Sequence, residues 1–327
     1  MSQPAAVPQM EESGRPPLLA VVGATAVGKT GAAIRLARDL GGEVVSADSR
    51  YLYRGMDIGT ATPSEAEMAG VPHHLISFLE PDEPYSLALY QRDAYRAIDA
   101  VMARGRVPIL AGGTPLYVRA VLEGWRIPEV PPDPALRAAL EERAQVEGPG
   151  ALHRELSRVD AAAAARIPAS NVRRVIRALE IYQQSGRPMT ELEGRAPPPY
   201  RTLLLGLRLP REELYRRIDG RVEEQLAGGL VDEVRRLLAA GVSPAAPAMS
   251  SIGYPEIVAY LEGRLSLPEA AAEIRHHTHR YARHQLTWLR RMAGVRWFEA
   301  SEPDWYARML AEAKAFVHDE TAPREVT

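Results

Sequence analysis

Lys29 is one of only two lysines among the 40 Lys and Arg residues of the chain. It stands in GATAVGKT, Gly23 to Thr30, which meets the phosphate-loop spacing G-x-x-x-x-G-K-[ST] at every fixed position. The backbone N–H groups of such a loop, with a helix N-terminus behind it, form an anion cradle. A compact ammonium fits beside a phosphate where a planar guanidinium would not, and the Thr30 hydroxyl suits Mg²⁺. The pattern specifies a phosphate and leaves open what the phosphate carries. Asp48 closes the run EVVSAD and opens DSRYLYRGMDIGTATPS. Its carboxylate could ligate Mg²⁺, take a proton from a nucleophile, or cap a turn. Asp57, in a glycine-bracketed loop, reads as structural. Gly112, Gly113 and Thr114 would let the backbone approach a ligand and offer a hydroxyl. His73 and His74 point to different sides of an extended chain and read as loop packing rather than as a metal pair.

Two arginine-rich stretches could hold phosphates. In RIPASNVRRVIRALE, Arg166, Arg173, Arg174 and Arg177 meet no acid until Glu180, while Val175, Ile176 and Leu179 supply a buried face. Between Ile274 and Phe298 there are six Arg, four His and no carboxylate. Helical spacing gathers Arg280, Arg283, Thr287, Arg290 and Arg291 on one side and leaves Tyr281, Leu289 and Met292 to pack elsewhere. Such surfaces suit RNA or a diphosphate substrate, although a charge run is often only a solvated face.

The elements that must position these residues alternate. Leu18 to Val22 reads as a buried strand, Thr30 to Leu40 as a helix, Glu43 to Asp48 as a strand, about Leu87 to Arg104 as a helix and Val107 to Thr114 as a strand running into glycines. This is the signature of a doubly wound parallel sheet, whose ligands lie beyond the carboxyl ends of the strands. The phosphate loop, Asp48 and Thr114 all fall at such ends. After Gly124 a proline-rich stretch leads into Ala-, Leu- and Arg-rich helical sequence without strand signals, closed by APPPY at Ala196 to Tyr200. Arg201 to Leu209 resumes a strand, and Val295 to Phe298 reads as the last one. The expected organisation is an α/β core over 17–124 and 201–318, an all-helical insertion over 125–200, a loose N-terminal tail over 1–16 and a C-terminal tail over 319–327.

Composition narrows the chemistry. The 327 residues contain no cysteine, which removes thiolate nucleophiles and cysteine-held metals. The net charge of −2 shows no global basic excess, so local patches must carry any nucleic-acid affinity. No apolar run approaches the ~20 residues of a membrane helix and no secretory signal opens the chain, so a cytoplasmic protein is expected.

Residue chemistry alone leaves three readings: a small-molecule kinase or NTPase with Asp48 as metal ligand or base, a transferase with a diphosphate leaving group and a nucleic-acid acceptor, and a nucleotide-gated RNA-binding module. The order and spacing of GATAVGKT, SADSRYLYRGMDIGTATPS, PHHLI, ILAGGTPLY, NVRRVIRALE, SIGYPEI and YARHQLTWLRR resemble the bacterial tRNA dimethylallyltransferase family over roughly residues 18–300. The resemblance implies a P-loop NTPase-like fold and transfer of a dimethylallyl group from dimethylallyl diphosphate to the exocyclic amine of the adenosine 3′ to the anticodon, in tRNAs reading codons that begin with U, assisted by Mg²⁺. It implies that Gly23, Ala24, Thr25, Ala26, Val27, Gly28, Lys29 and Thr30 hold the diphosphate, with Arg280 and Arg283 contributing. Thr30 is the implied Mg²⁺ ligand, with Asp48 as a second candidate.

Asp48 matches the family's general base and Thr114 a hydroxyl at the reaction centre. Contacts to the tRNA anticodon stem-loop are implied for Asp48, Ser49, Arg50, Tyr51, Thr114, Arg137, Arg173, Arg174, Val175, Ile176, Arg177, Ser251, Ile252, Gly253, Tyr254, Pro255 and Glu256. A monomer is expected. Pro115 departs from a usual glycine and is expected to stiffen the turn beside Thr114. His279 and His284 stand where Arg is common, and are expected to make activity fall as pH rises through about 6.5.

Overall fold

The computed structural model describes residues 15–318; the predicted tail 319–327 and residues 1–14 of the predicted N-terminal tail lie outside the described residues. The chain divides into two compact units, one built from Met1–Leu122 with Pro198–Thr327 and the other from Glu123–Pro197. The eight described strands are β1 (Pro17–Gly23), β2 (Gly42–Ser46), β3 (His73–His74), β4 (Val107–Gly112), β5 (Trp125–Arg126), β6 (Gly194–Arg195), β7 (Arg201–Arg208) and β8 (Val295–Glu299).

In the first unit six strands form one sheet in the order β3-β2-β4-β1-β7-β8, parallel throughout. In register, Leu19 of β1 lies between Ile109 of β4 and Leu203 of β7. The chain leaves β1 toward β2 on one side, yet leaves β4 toward β7 on the other. Beyond the carboxyl ends of β1 and β4, where these connections diverge, a parallel sheet opens a crevice.

Helices cover both faces, which is why β1 reads as a continuous apolar run instead of an alternating one. The helices of this unit's first stretch are α1 (Lys29–Leu40), α2 (Glu65–Met68), α3 (Leu87–Ala103) and α4 (Pro115–Leu122). The second unit holds α5 (Pro134–Val146), α6 (Pro149–Val159), α7 (Ala161–Arg166), α8 (Val172–Ser185) and α9 (Met189–Leu192). The first unit resumes with α10 (Arg211–Ala227), α11 (Leu230–Ala239), α12 (Tyr254–Leu261), α13 (Leu267–Leu289) and α14 (Trp305–Val317). Successive β1 side chains alternate between two cores: Leu18, Ala20 and Val22 pack toward α3, α4, α11 and α12, whereas Leu19 and Val21 pack toward α1 and α14. All five are fully buried, and each such Leu or Val contributes about 1.5–3 kcal/mol of burial. The long α13 serves both cores, with Ile274 and Leu289 in one and Ala282 in the other. None of the described helices is long and apolar enough to cross a membrane.

The second unit packs α5 to α9 around Leu140, Leu152, Leu156, Val175, Ile176 and Leu179. Its helices start where side chains satisfy free N–H groups: Asp133 accepts from Leu136 N at 3.0 Å and Asp160 from Ala163 N at 2.9 Å. The expectation of an all-helical insertion needs one correction, because β5 and β6 form a two-residue antiparallel ladder pairing Trp125 with Arg195. Two residues per strand are too few to show a period in the sequence. His73 and His74 also differ from the loop reading, since they pair with Val44 and Val45 as the edge strand β3.

Candidate active site

β1 ends at Gly23 and α1 starts at Lys29, so the intervening loop lies at the carboxyl edge of the sheet. Lys29 is only 7% exposed, and its Nζ has the Ala24 carbonyl 3.5 Å away. Burial lowers its pKa, Asp48 opposes that shift, and the nearby Arg221 adds to it. Lys29 is thus a buried ammonium within electrostatic reach of one carboxylate and one guanidinium, and a bound phosphate would add the anion that offsets its burial.

Asp48 lies two residues past the end of β2 and is placed by stitching between β2 and β4. Ala47 N donates to Ala111 O at 2.8 Å, and Thr114 N donates to Ala47 O at 3.1 Å. This approach requires Gly112, because a Cβ there would lie 2.2 Å from the Ala47 carbonyl carbon. The Thr114 hydroxyl accepts from Ser49 N at 2.9 Å and donates to Ser49 Oγ at 3.2 Å, while Asp48 Oδ1 accepts from Arg50 N at 3.1 Å. Carboxylate and hydroxyl are thereby fixed on two adjoining segments, one after β2 and one after β4. Pro115 occupies the first residue of α4 directly after Thr114, where its missing N–H costs nothing.

Against this segment lies a cavity of about 210 Å³ lined by Thr25 and Ala26 of the phosphate loop, by Asp48 and Arg50, and by Gly59, Thr60 and Ala61. Its remaining walls come from Ile218, Arg221, Val222 and Gln225 of α10, Ser251 and Ile252, and Ile274, Thr278, Tyr281 and Gln285 of α13. Its lining therefore combines two arginines, a carboxylate and polar groups with aliphatic side chains. Ala26 (φ 62°) and Ala61 (φ 56°) hold left-handed backbone on two of its walls, at roughly 1–2 kcal/mol each. Gln285, 1% exposed, ties the parts together: its Oε1 accepts from Thr25 N at 2.8 Å and its Nε2 donates to Gly113 O at 2.6 Å. The phenols of Tyr51 and Tyr281 are each pushed up to about 12, by burial first and by Asp48 second, so both remain neutral donors near the carboxylate. Tyr51 also hydrogen-bonds the Thr30 hydroxyl.

The IPP transferase family model matches residues 51–292, and the isopentenyl transferase model matches residues 16–77. A tRNA dimethylallyltransferase of Thermomicrobium roseum is 63% identical over 312 residues, 95% of each chain. The chain belongs to the tRNA dimethylallyltransferase family. A family member from a Roseiflexus species is 52% identical over 88% of this chain and 94% of its own. The crystal structure of the full-length tRNA isopentenylpyrophosphate transferase of Bacillus halodurans aligns with TM-score 0.70 and 40% identity, over 93% of this chain and 97% of that one. A eukaryotic dimethylallyltransferase described as acting on tRNA aligns with TM-score 0.81 and 25% identity, over 95% of this chain and 81% of that one. The P-loop-type parallel sheet is thus the fold of the family.

Several residues expected to act directly sit elsewhere. Arg280 and Arg283 do not line the cavity: Arg280 is exposed, and Arg283 Nη1 donates to the Tyr215 hydroxyl at 2.9 Å. The α13 face that turns inward is Ile274, Thr278, Tyr281 and Gln285, so Tyr281 belongs to the site rather than to remote packing. His279 stacks on Tyr215 and lies 2.9 Å from Asp219, and His284 is exposed. Neither lines the cavity. Side chains of α13 also meet acids on other elements, Arg275 with Glu223 and His277 with Glu256.

Of Ser251 to Glu256, only Ser251 and Ile252 line the cavity. Tyr254 and Glu256 are buried and serve the local structure, Tyr254 hydrogen-bonding Glu233 and Glu256 accepting from Gly253 N at 2.8 Å. In the helical unit Val175 and Ile176 lie in the core and offer RNA no side chain. Arg137 and Arg177 converge on the fully buried Glu180, Arg137 through two nitrogens at 2.8 and 2.7 Å and Arg177 at 2.6 Å. Arg166 pairs with Glu193. Arg173 and Arg174 are exposed.

Arg221, Gln225 and Gln285 join the site without a motif to mark them in the sequence. The signal for the first two lay in α10, where Ile218, Arg221, Val222 and Gln225 recur at helical spacing and put a cation and an amide on the same face as two aliphatic side chains. Gln285 looked like one more polar residue in a basic helix.

Proposed function

We infer that this chain transfers a dimethylallyl group from dimethylallyl diphosphate to the exocyclic amine of the adenosine 3′ to the anticodon, in tRNAs reading codons that begin with U, and releases diphosphate. The observation that carries the reading is the cavity together with what adjoins it: Asp48, Arg50, Arg221 and aliphatic side chains in its lining, the buried Lys29 ammonium within electrostatic reach of Asp48 and Arg221, and Thr114 bonded to Ser49 next to Asp48. A diphosphate suits the cations and a five-carbon chain suits Ile218, Val222, Ile252 and Ile274. The amine nitrogen bonds to the allylic carbon as the carbon–oxygen bond breaks, and the bonding pair leaves with the diphosphate. Lys29, Arg221 and the loop N–H groups stabilise that leaving charge. Asp48 takes the proton the amine loses, and the Thr114 hydroxyl, held by Ser49, orients the acceptor.

Among the described residues no three His, Cys, Asp or Glu converge on a metal position. The hydroxyl of Thr30 and the carboxylate of Asp48 still fit Mg²⁺, which commonly takes one or two carboxylate ligands and completes its shell with phosphate oxygens and water. When bound, the ion would supply further positive charge to the diphosphate. For RNA, the reading assigns the exposed Arg173 and Arg174, and Arg137 and Arg177 at Glu180, to phosphate contacts of the stem-loop, with Arg50 and Ser49 near the entering base. The base must leave its stack to reach Asp48.

The kinase or NTPase alternative is not favoured by the family or by the aliphatic wall. The deciding experiment incubates the protein with Mg²⁺, unmodified tRNA and labelled dimethylallyl diphosphate, with an ATP hydrolysis control. Label is expected in tRNA, and Asp48→Asn is expected to lower transfer about 10²–10⁴-fold while diphosphate still binds. ATP turnover without label transfer would reverse the assignment.

A further inference from the structure

Glu233, on α11, is 2% exposed and takes no part in the chemistry above. Four donors converge on its carboxylate: the backbone N–H groups of Asp57 at 2.9 Å, Ile58 at 2.8 Å and Gly59 at 3.0 Å, and the Tyr254 hydroxyl at 2.7 Å. Three successive amides turned toward one point make a nest for an anion, and here the protein fills it with its own carboxylate. The carbonyls of the same segment are held from α10. Gln225 Nε2 donates to Ile58 O at 2.8 Å and to Gly59 O at 2.9 Å. The Ile58–Gly59 segment is therefore gripped through its donors by one helix and through its acceptors by another.

That segment leads directly into a cavity wall. Gly59, Thr60 and Ala61 line the cavity, and so do Gln225 and, one turn earlier on α10, Arg221. The aliphatic Ile218 and Val222 stand on the same face of that helix. A shift of the loop relative to α10 would change the width of the slot beside those aliphatic side chains and leave the phosphate loop, which hangs from β1 and Gln285, in place.

We propose that Glu233 and Gln225 are positioning residues that fix the width of the prenyl slot and so set the selectivity for a five-carbon donor over longer allylic diphosphates. The proposal rests on the transferase reading above. Carboxylate chemistry is essential at Glu233, because an amide would turn an NH₂ toward N–H donors. Gln225 is half-buried at the cavity surface, so replacing it tests the same grip without disturbing the core.

The test compares wild type with Glu233→Gln, Glu233→Asp and Gln225→Leu, by titration with inorganic diphosphate and with the unreactive dimethylallyl thiodiphosphate, then by transfer from dimethylallyl and geranyl diphosphates. The inorganic ion should bind all four proteins within about twofold. The advantage of the prenylated analogue over it should drop about tenfold or more in Glu233→Gln and Gln225→Leu, a size expected for a poorly shaped apolar slot. Glu233→Asp should recover part of it. The donor KM should rise in step while the tRNA KM stays put, and the dimethylallyl preference over geranyl should narrow. An unchanged prenyl increment in the folded Gln225→Leu variant would overturn the proposal. A uniform fall in kcat with both KM values unchanged would do the same, since it would mark a merely structural role. Failure of wild type to label tRNA would refute the transferase reading, while the two binding titrations would still judge the grip.

Discussion

Replacing Gln285 by leucine keeps the side-chain volume and deletes both of its hydrogen bonds. The residue is 1% exposed, so the buried Gly113 carbonyl at 2.6 Å and the part-buried Thr25 N–H at 2.8 Å both lose their partner. Each stranded group costs about 1–3 kcal/mol, giving about 2–6 kcal/mol for the pair as an upper range. In a unit of this size the melting midpoint should fall by roughly 4–24 °C. The consequence for activity follows from geometry, because Thr25 carries the phosphate loop and Gly113 precedes Thr114. Untying them should raise the donor KM, and misaligned groups should lower kcat as well. Gly113→Ala should reproduce the defect, since a Cβ there would lie 2.5 Å from Gln285 Nε2 and 3.2 Å from the Lys29 Cε. Thermal unfolding and steady-state transfer measure both effects. A Gln285→Leu protein within about 1 kcal/mol of wild type, with unaltered donor KM, would refute the idea that this amide couples the two loops.

Arg221→Ala should raise the donor KM about 10–100-fold, the loss of a charge-assisted contact, while Arg280→Ala and Arg283→Ala stay within about threefold; the opposite ranking would return the diphosphate to α13. Because burial lowers the Lys29 pKa, the unfolded chain binds the extra proton in the interval between that lowered value and the ordinary lysine range, so this lysine makes stability of the free protein rise with pH there. Diphosphate should reverse the shift, and calorimetry in alkaline buffers of different ionisation enthalpy should record proton uptake on binding that Lys29→Met abolishes. At Glu180 burial pushes the pKa up, but Arg137, the Asp133 N–H and Arg177 outweigh it and hold the carboxyl below its ordinary range. The stability this gives is complete above the ordinary carboxylate value and is lost as pH falls through the lowered one. The helical unit should therefore loosen in acid, with Glu180→Gln less stable at neutral pH and flatter in its acid response.

Much of the core was legible because it obeys short-range rules. The phosphate loop, the strand ends at Asp48 and Thr114 and the helical insertion all announce themselves through local spacing and apolar runs. What escaped depends on contacts distant in sequence. Gln285 acts on Thr25 across 260 residues, and Glu233 acts on Asp57 across 176. The arginine stretches misled for a related reason: counting acids along the chain cannot find Arg137 reaching Glu180 across 43 residues, nor Glu223 and Asp219 meeting α13 from another helix. Tyr254 and Glu256 match a family segment, yet the structure uses them to build the wall behind it.

The Glu180 hub also changes how ionic strength should act on RNA binding. Two arginines sharing one buried carboxylate present a net charge of about +1 to a phosphate, whereas two free guanidiniums would present +2. Condensed counterions are released in proportion to the phosphates neutralised, so the salt slope of binding should be shallower than a count of arginines suggests. Two planar forks held rigid by one carboxylate would meet the backbone already aligned, and would exchange bulk electrostatic pull for orientation.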